Sequence, residues 1–355
     1  MWQMIKFEFE KIWSRNIVWV GLVIMLIAGL VVSFSVRETR VVTSDGRELK
    51  GSEAREYIEE RTEKYAGLLN DDKIERILKE EKAAEINDYS IYSSLPLYNA
   101  VYQNFGDEYG DFYGMTVDEA YTENGITVEV GYSELWVGML NSFPIILLGI
   151  GTVVAIGVSG VFSEEYGRRM DALLLTSRHG KKRCVYAKII ASFLFAVLSY
   201  LAFVLVNFIP VLAFNGFYGW DAGVQLDEMG IMSQVPYTLS CGEAVLLMIF
   251  GGFLGMLMLT AVTLVVSVIC QSSFVAVIIA ALLYYLPIIF MQILDVRILA
   301  MTPFGAASSS VLLLPKINIA GTEVLFYAKI IVTLFILLVV SWVTTRRVFA
   351  RHQVK

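Results

Sequence analysis

The densest charge in the sequence lies in one stretch, FSEEYGRRMDALLLTSRHGKKRCVYAK, from Phe162 to Lys188, with seven basic and three acidic residues. Phosphate binding is the first chemistry such a stretch invites. Within RHGKKR, Gly180 precedes Lys181, but Lys182 stands where a phosphate loop needs Ser or Thr, and Leu175 stands where its first glycine belongs. The chain is therefore not expected to hold ATP by that route. Metal chemistry has no better footing: Cys184, Cys241 and Cys270 lack metal-type spacing, and His179 and His352 are far apart in sequence. A membrane enzyme would need clustered His, Asp, Glu or Ser near a membrane face, and no such cluster is visible. No catalytic, cofactor-binding or metal-binding residue is assigned.

The elements around this stretch are apolar. Charged residues make up 17% of the chain, against roughly 25% in soluble domains, which points to a membrane protein. Six runs have the length and composition of spanning helices: Ile17–Phe34, Val137–Val161, Ile189–Val211, Ala244–Ile269, Phe274–Ile293 and Val324–Val343. The first follows Arg15 with no small-residue cleavage motif after it, so no cleavable signal peptide is expected. Ahead of it, Trp2, Ile5, Phe9, Ile12 and Trp13 recur near helical spacing against Lys6, Glu10 and Arg15, predicting an amphipathic helix at the interface.

Basic residues orient the chain. Lys6, Lys11 and Arg15 precede the first span. Arg168, Arg169, Arg178, Lys181, Lys182, Arg183 and Lys188 lie between the second and third, and Arg346, Arg347, Arg351 and Lys355 follow the sixth. With six crossings all three groups fall on one side, which the positive-inside rule makes cytoplasmic, with both termini. The insertion between the first two spans is then outside. From Arg37 to Glu134 it carries 23 acidic and 11 basic residues.

The expected fold is mainly α. It is a six-helix transmembrane bundle with an N-terminal amphipathic helix and a small, mostly helical extracellular domain. The parts are residues 1–35 (amphipathic helix and first span), 36–136 (extracellular domain) and 137–355 (the remaining spans, with the cytoplasmic connection 162–188). In the external part, Asp45-Gly46 signals a hairpin, and two charged helices follow, the second capped by Asn70 or Asp71. Tyr89, Tyr92, Tyr98, Tyr102, Phe105, Tyr109, Phe112 and Tyr113 are expected to build its core or its seat on the membrane. Within the spans, Gly151, Ala155 and Ser159, and Gly251 with Gly255, recur at four-residue spacing and predict close helix packing, a dimer seam included. Lys329 lies about one turn inside the sixth span, placed to reach outward. No string of carboxylates or arginines suggests a proton relay or voltage sensor.

In the charged stretch, Glu164, Glu165 and Gly167 lead into Met170-Asp171-Ala172-Leu173-Leu174-Leu175, a short amphipathic helix. Thr176-Ser177-Arg178 breaks it, and Lys188 opens the next span. This pattern resembles the loop between the second and third spans of ABC transporter permeases of the type-2 exporter class. The whole plan is also similar, including a large external domain familiar among Gram-positive members, and a re-entrant segment corresponding to the stretch bracketed by Pro303 and Pro315. The family often has a proline after the leucine-rich helix, where this chain has Thr176-Ser177.

The resemblance implies that the helix couples to a cytoplasmic ABC ATPase dimer through Glu164, Glu165, Gly167, Asp171, Leu173, Leu174 and Arg178. It implies ATP and Mg on that partner and none in this chain. It also implies a second permease chain, identical or related, and an amphipathic peptide, antibiotic or lipid-like cargo. Membrane lipid is a further expected partner; nucleic acid is not. The rival expectation is a sensor or immunity protein that binds an extracellular peptide without transport.

Overall fold

A computed structural model describes residues 1–37, 40–43, 47–82, 95–107, 109–167, 170, 183–228, 230–290, 293 and 295–351. In chain order its elements are α1 (Trp2–Trp13), α2 (Asn16–Arg37), β1 (Arg40–Val42), β2 (Glu48–Lys50), α3 (Ser52–Glu63), β3 (Gly67–Leu68), α4 (Asp71–Glu80), α5 (Pro96–Phe105), α6 (Val117–Ala120), β4 (Glu129–Val130) and α7 (Glu134–Gly167). There follow α8 (Val185–Asn215), α9 (Cys241–Ile269), α10 (Ser273–Ile289), α11 (Val296–Leu299), β5 (Ile317–Ile319), β6 (Thr322–Val324) and α12 (Tyr327–Arg351).

Long apolar runs become helices because lipid offers no partner for a free backbone N–H or C=O. Among the described residues α2, α7, α8, α9 and α12 are long and apolar enough to cross a membrane. The fifth expected span, Phe274–Ile293, is shorter than its composition suggested. Its helix α10 has 17 residues, and Pro287 lies in its last turn, where the ring resists continuation. The sixth run also starts late: Val324 pairs with Ile317 in a β5–β6 hairpin, so the helix begins at Tyr327. Lys329 is then in the first turn, its ammonium 5.2 Å from the Phe326 ring centroid.

Burial ranks the helices. The most apolar windows of α7 and α9 are 72% and 61% buried, whereas those of α2 and α12 are each 22% buried. The two central helices therefore form the core, and the outer ones present most of their apolar surface outward. Small residues let the core close. Ser267 Oγ donates to the Ser159 carbonyl at 2.6 Å and accepts from the Phe162 amide at 3.0 Å, joining α9 to α7. Tyr284 of α10 fills the notch at Gly151, and Thr152 and Tyr285 share a hydrogen bond of 2.6 Å. A Cβ on Gly251 or Gly255 would meet the carbonyls of Ala306 and Pro303. The connection after α11 thus folds back on α9 in two 3₁₀ turns, burying Ala306, Ala307, Val311 and Leu312. These notches are occupied by the chain itself.

The insertion between α2 and α7 is held by local signals. β1 and β2 form an antiparallel hairpin whose turn residues, 44–46, lie outside the described residues. The Asn70 side chain caps α4 by accepting from the Lys73 amide at 2.9 Å, and Thr116 and Glu119 form a capping box on α6. Ala54, Ile58, Tyr65, Ile74, Ile77, Tyr98 and Phe105 are buried together. Tyr109 and Tyr113 are exposed instead, and Tyr89 and Tyr92 lie outside the described residues. Glu80 accepts from Lys64 and from the Tyr65 hydroxyl, and those two bonds hold its carboxyl down at about 2. Burial, then the bonds to Glu81 and Glu80, push the Tyr65 hydroxyl well above the usual tyrosine range.

The connection between α8 and α9 packs into the same body. The Gly223 amide donates to the Glu129 carbonyl at 2.8 Å, the Thr127 amide to Thr238 Oγ1 at 2.9 Å, and Asn99 Nδ2 to Glu228 at 2.9 Å. Lys316, from the third such connection, places its ammonium 5.7 Å from the Tyr237 ring centroid. These three connections share one end of the bundle.

Candidate functional site

The opposite end gathers α1, the last turns of α7, the first turns of α8 and the end of α12. Its chemistry begins with Lys188. The sequence pattern treats this residue as a cation opening a span; the structure places it in the first turns of α8, fully buried. A buried ammonium is costly unless all its protons are bonded and its charge is paired. Lys188 Nζ donates to Glu8 Oε2 of α1 at 2.8 Å, to Glu165 Oε1 of α7 at 2.5 Å and to the Val161 carbonyl at 3.2 Å. Its three donors are thereby used.

Two further cations of the N-terminal segment reach the same end of α7. Lys11 Nζ lies 3.3 Å from Glu165 Oε1. Arg15 pairs with Glu164 at 3.0 Å, donates to the Gly157 carbonyl at 3.1 Å, and lies over Gly160, where a Cβ would collide with the guanidinium. Three acids and three bases thus close a neutral network that ties α1 to two spanning helices. Ile5 and Ile12 complete the buried face of α1, while Phe9, Trp13 and Trp19 stack beside one another with centroids 6.0 and 5.6 Å apart. Aromatic rings of this kind favour the membrane–water boundary. At the far side of α7, Phe349 of α12 packs on Phe162 and Tyr166.

Of the residues singled out for coupling, Glu164, Glu165 and Gly167 belong to the last turns of α7 and not to a loop. The apolar run stops near Val161, but the helix continues because Glu164 finds Arg15, just after α1, and Glu165 finds Lys11 of α1 and Lys188 of α8. The Met170 amide then donates to the Glu165 carbonyl at 2.9 Å. Asp171, Leu173, Leu174 and Arg178 lie outside the described residues. Glu8 went unnoticed in the sequence, although it carried a signal. It falls three residues after Ile5 and four before Ile12, on the apolar face of an amphipathic helix, where a carboxylate implies a buried cation.

At the other end a shallow cleft between the insertion and the α8–α9 connection is lined by Glu63, Glu129, Tyr132, Tyr218 and Asp221. Among the described residues no group of His, Cys, Asp and Glu side chains is arranged to hold a metal ion. The chemistry available to the charged end is mechanical: it can fix the relation of three helices next to a cation-rich connection. Among curated proteins and among solved structures, none matches the chain. The family model described as ABC-2 family transporter protein matches residues 2–309, which contain α1, the ion network, α7 to α10 and the first of the two 3₁₀ turns seated on α9. With so much of its length in register with that family, the chain belongs to the ABC-2 family of transporter proteins.

Proposed function

We propose that this chain is the membrane-spanning subunit of an exporter driven by a separate ABC ATPase, with α10 as a sixth crossing. The family is one of transport permeases that work with an ABC ATPase partner, which supplies the coarse role. The observation that carries the finer reading is the sorting of connections. Those after α2, α8 and α10 pack at one end, while α1, the last turns of α7, the first turns of α8 and Phe349 of α12 share the other. The second end holds the basic clusters, so it is the cytoplasmic end by the positive-inside rule.

On this reading residues 36–136 are extracellular, and the 162–188 connection docks a dimer of ATPase subunits that carries ATP and Mg. A second permease chain, identical or related, completes the pathway for an amphipathic cargo. The 17 residues of α10 rise about 26 Å at 1.5 Å each, close to the roughly 30 Å of hydrocarbon. A slightly thinned bilayer accommodates that length.

The test is capture of the ATPase encoded with this chain, in mild detergent, by the wild type and by Leu174→Asp at matched expression. Wild-type chain should bring down the ATPase, and the variant should lose it by roughly thirtyfold, as truncating a hot-spot contact does. Equal capture and equal ATP hydrolysis by both would remove the docking role of this segment.

A further inference from the structure

We infer that Lys188 is a positioning residue: it clamps α1 to the inner end of α7, so that the N-terminal helix and the start of the ATPase-facing connection move as one body. The second half of that statement rests on the proposed function; the clamp itself does not.

The clamp follows from what does and does not hold α1. One face of α1 is apolar: Ile5 packs on Ala187 and Ala191, Ile12 lies in the main core, and Trp13 meets Phe195 edge-on, while Trp2 and Phe7 are exposed. Its polar contribution is concentrated at one point, where the ammonium of α8 meets a carboxylate from α1 and another from α7. Nζ lies 5.7 Å from the centroid of the Phe162 ring of α7, and no part of the lysine is open to solvent. The groups facing this point are Glu8 and Lys11 from α1, Glu165 from α7 and Cys184 from α8. Among the described residues Glu165 Oε2 has no hydrogen-bond partner, and both lysines share Oε1. Without Lys188, Glu8 and Glu165 would face each other as buried like charges with Lys11 alone between them. Loss of the lysine should therefore loosen α1 more than loss of Glu8, which leaves Lys188 paired with Glu165.

Cys184 reports on this point from within the chain. It is buried, one helical turn before Lys188. In full-length protein carrying Cys241→Ser and Cys270→Ser, the rate of Cys184 alkylation by a permeant maleimide measures opening of the clamp. Lys188→Met should speed alkylation by roughly a hundredfold or more, the scale of breaking one side of a buried ion pair. Glu8→Gln should speed it less, Lys188→Arg least, and Glu8→Gln added to Lys188→Met should slow it again by removing the repulsion. Should Lys188→Met fail to insert, Glu8→Gln decides, because Glu8 lies outside the spanning helices. Alkylation at the parental rate in both Lys188→Met and Glu8→Gln would overturn the clamp. Opening of Cys184 with unaltered ATPase capture and hydrolysis would overturn its link to the connection. Failure of the parental chain to capture any ATPase would instead refute the proposed function and leave the alkylation result standing.

Discussion

Gly255 in α9 faces the Pro303 carbonyl so closely that any Cβ there would meet the oxygen, and Gly251, one turn earlier, faces the Ala306 carbonyl in the same way. The obstacle in both cases is backbone, which cannot swing aside as a flexible side chain does. Gly255→Val should therefore push the 3₁₀ turns off α9. Overpacking of this kind costs about 1–3 kcal/mol. The expected result is a lower melting temperature in detergent and new proteolysis between Leu299 and Leu314. An unchanged melting profile would mean that the connection is not seated on these glycines.

Trp136 should be the most sensitive position where the insertion joins α7. It is fully buried, its indole N–H donates to the Tyr218 carbonyl at 2.8 Å, and its ring meets Trp220 edge-on at 5.0 Å. Trp136→Ala should destabilise the chain by about 3–5 kcal/mol, the scale of emptying a large aromatic site. Trp136→Phe keeps most of the ring but strands the carbonyl, so its cost should be nearer about 1–3 kcal/mol. Thermal unfolding followed by tryptophan fluorescence orders the two variants.

Strong acid should act on the insertion through Glu80. Glu80 has a carboxyl lowered from its ordinary 4.5 to about 2, so the folded state prefers it ionised. A depressed carboxylate gives stability that is complete above the ordinary value and is lost as pH falls through the window from about 4.5 to about 2. Glu80→Gln should flatten the acid limb of the stability profile in that window and lower stability at pH 7, where the wild-type contribution is complete, so that the two proteins converge towards low pH. An identical acid limb in wild type and variant would assign acid sensitivity to other groups.

The proposed sides are open to direct labelling. On that orientation, cysteine at Asp72 or Asp221 should react with an impermeant maleimide on intact cells, while cysteine at Lys6 should react only after permeabilisation. Labelling of the Lys6 position on intact cells would invert the orientation.

Much of the bundle could be read from the chain because a lipid-facing helix needs little beyond apolar length. The helix ends could not. Glu164 and Glu165 look like loop residues until Arg15, Lys11 and Lys188 are brought to them, and Lys188 lies 180 positions from its Glu8 partner. Charge counting treats each cation alike and so cannot separate Lys188, fully buried, from Arg183, exposed one turn earlier. The caps at Asn70 and the hairpin after Arg40 were legible because their partners are three to ten residues away. The attachment of the α8–α9 connection to the insertion had no local signal: the Thr127–Thr238 bond spans 111 positions.

Helix α7 runs unbroken through 34 residues, from beside Trp136 to the acids that meet α1. At 1.5 Å per residue it is a rod about 51 Å long, well over the roughly 30 Å of hydrocarbon it crosses. A rod that outreaches the bilayer on both sides behaves as a lever with its fulcrum in the membrane. A tilt of about 10° carries one tip about 9 Å relative to the other, by the geometry of a 1.5 Å rise. Pro144 is the one internal residue that removes a rung from the helix ladder, and it lies near the Trp136 end, which leaves the long arm on the side of Glu164 and Glu165. Leverage of that form turns a small angular change at the Trp136 end into a large excursion of the two acids.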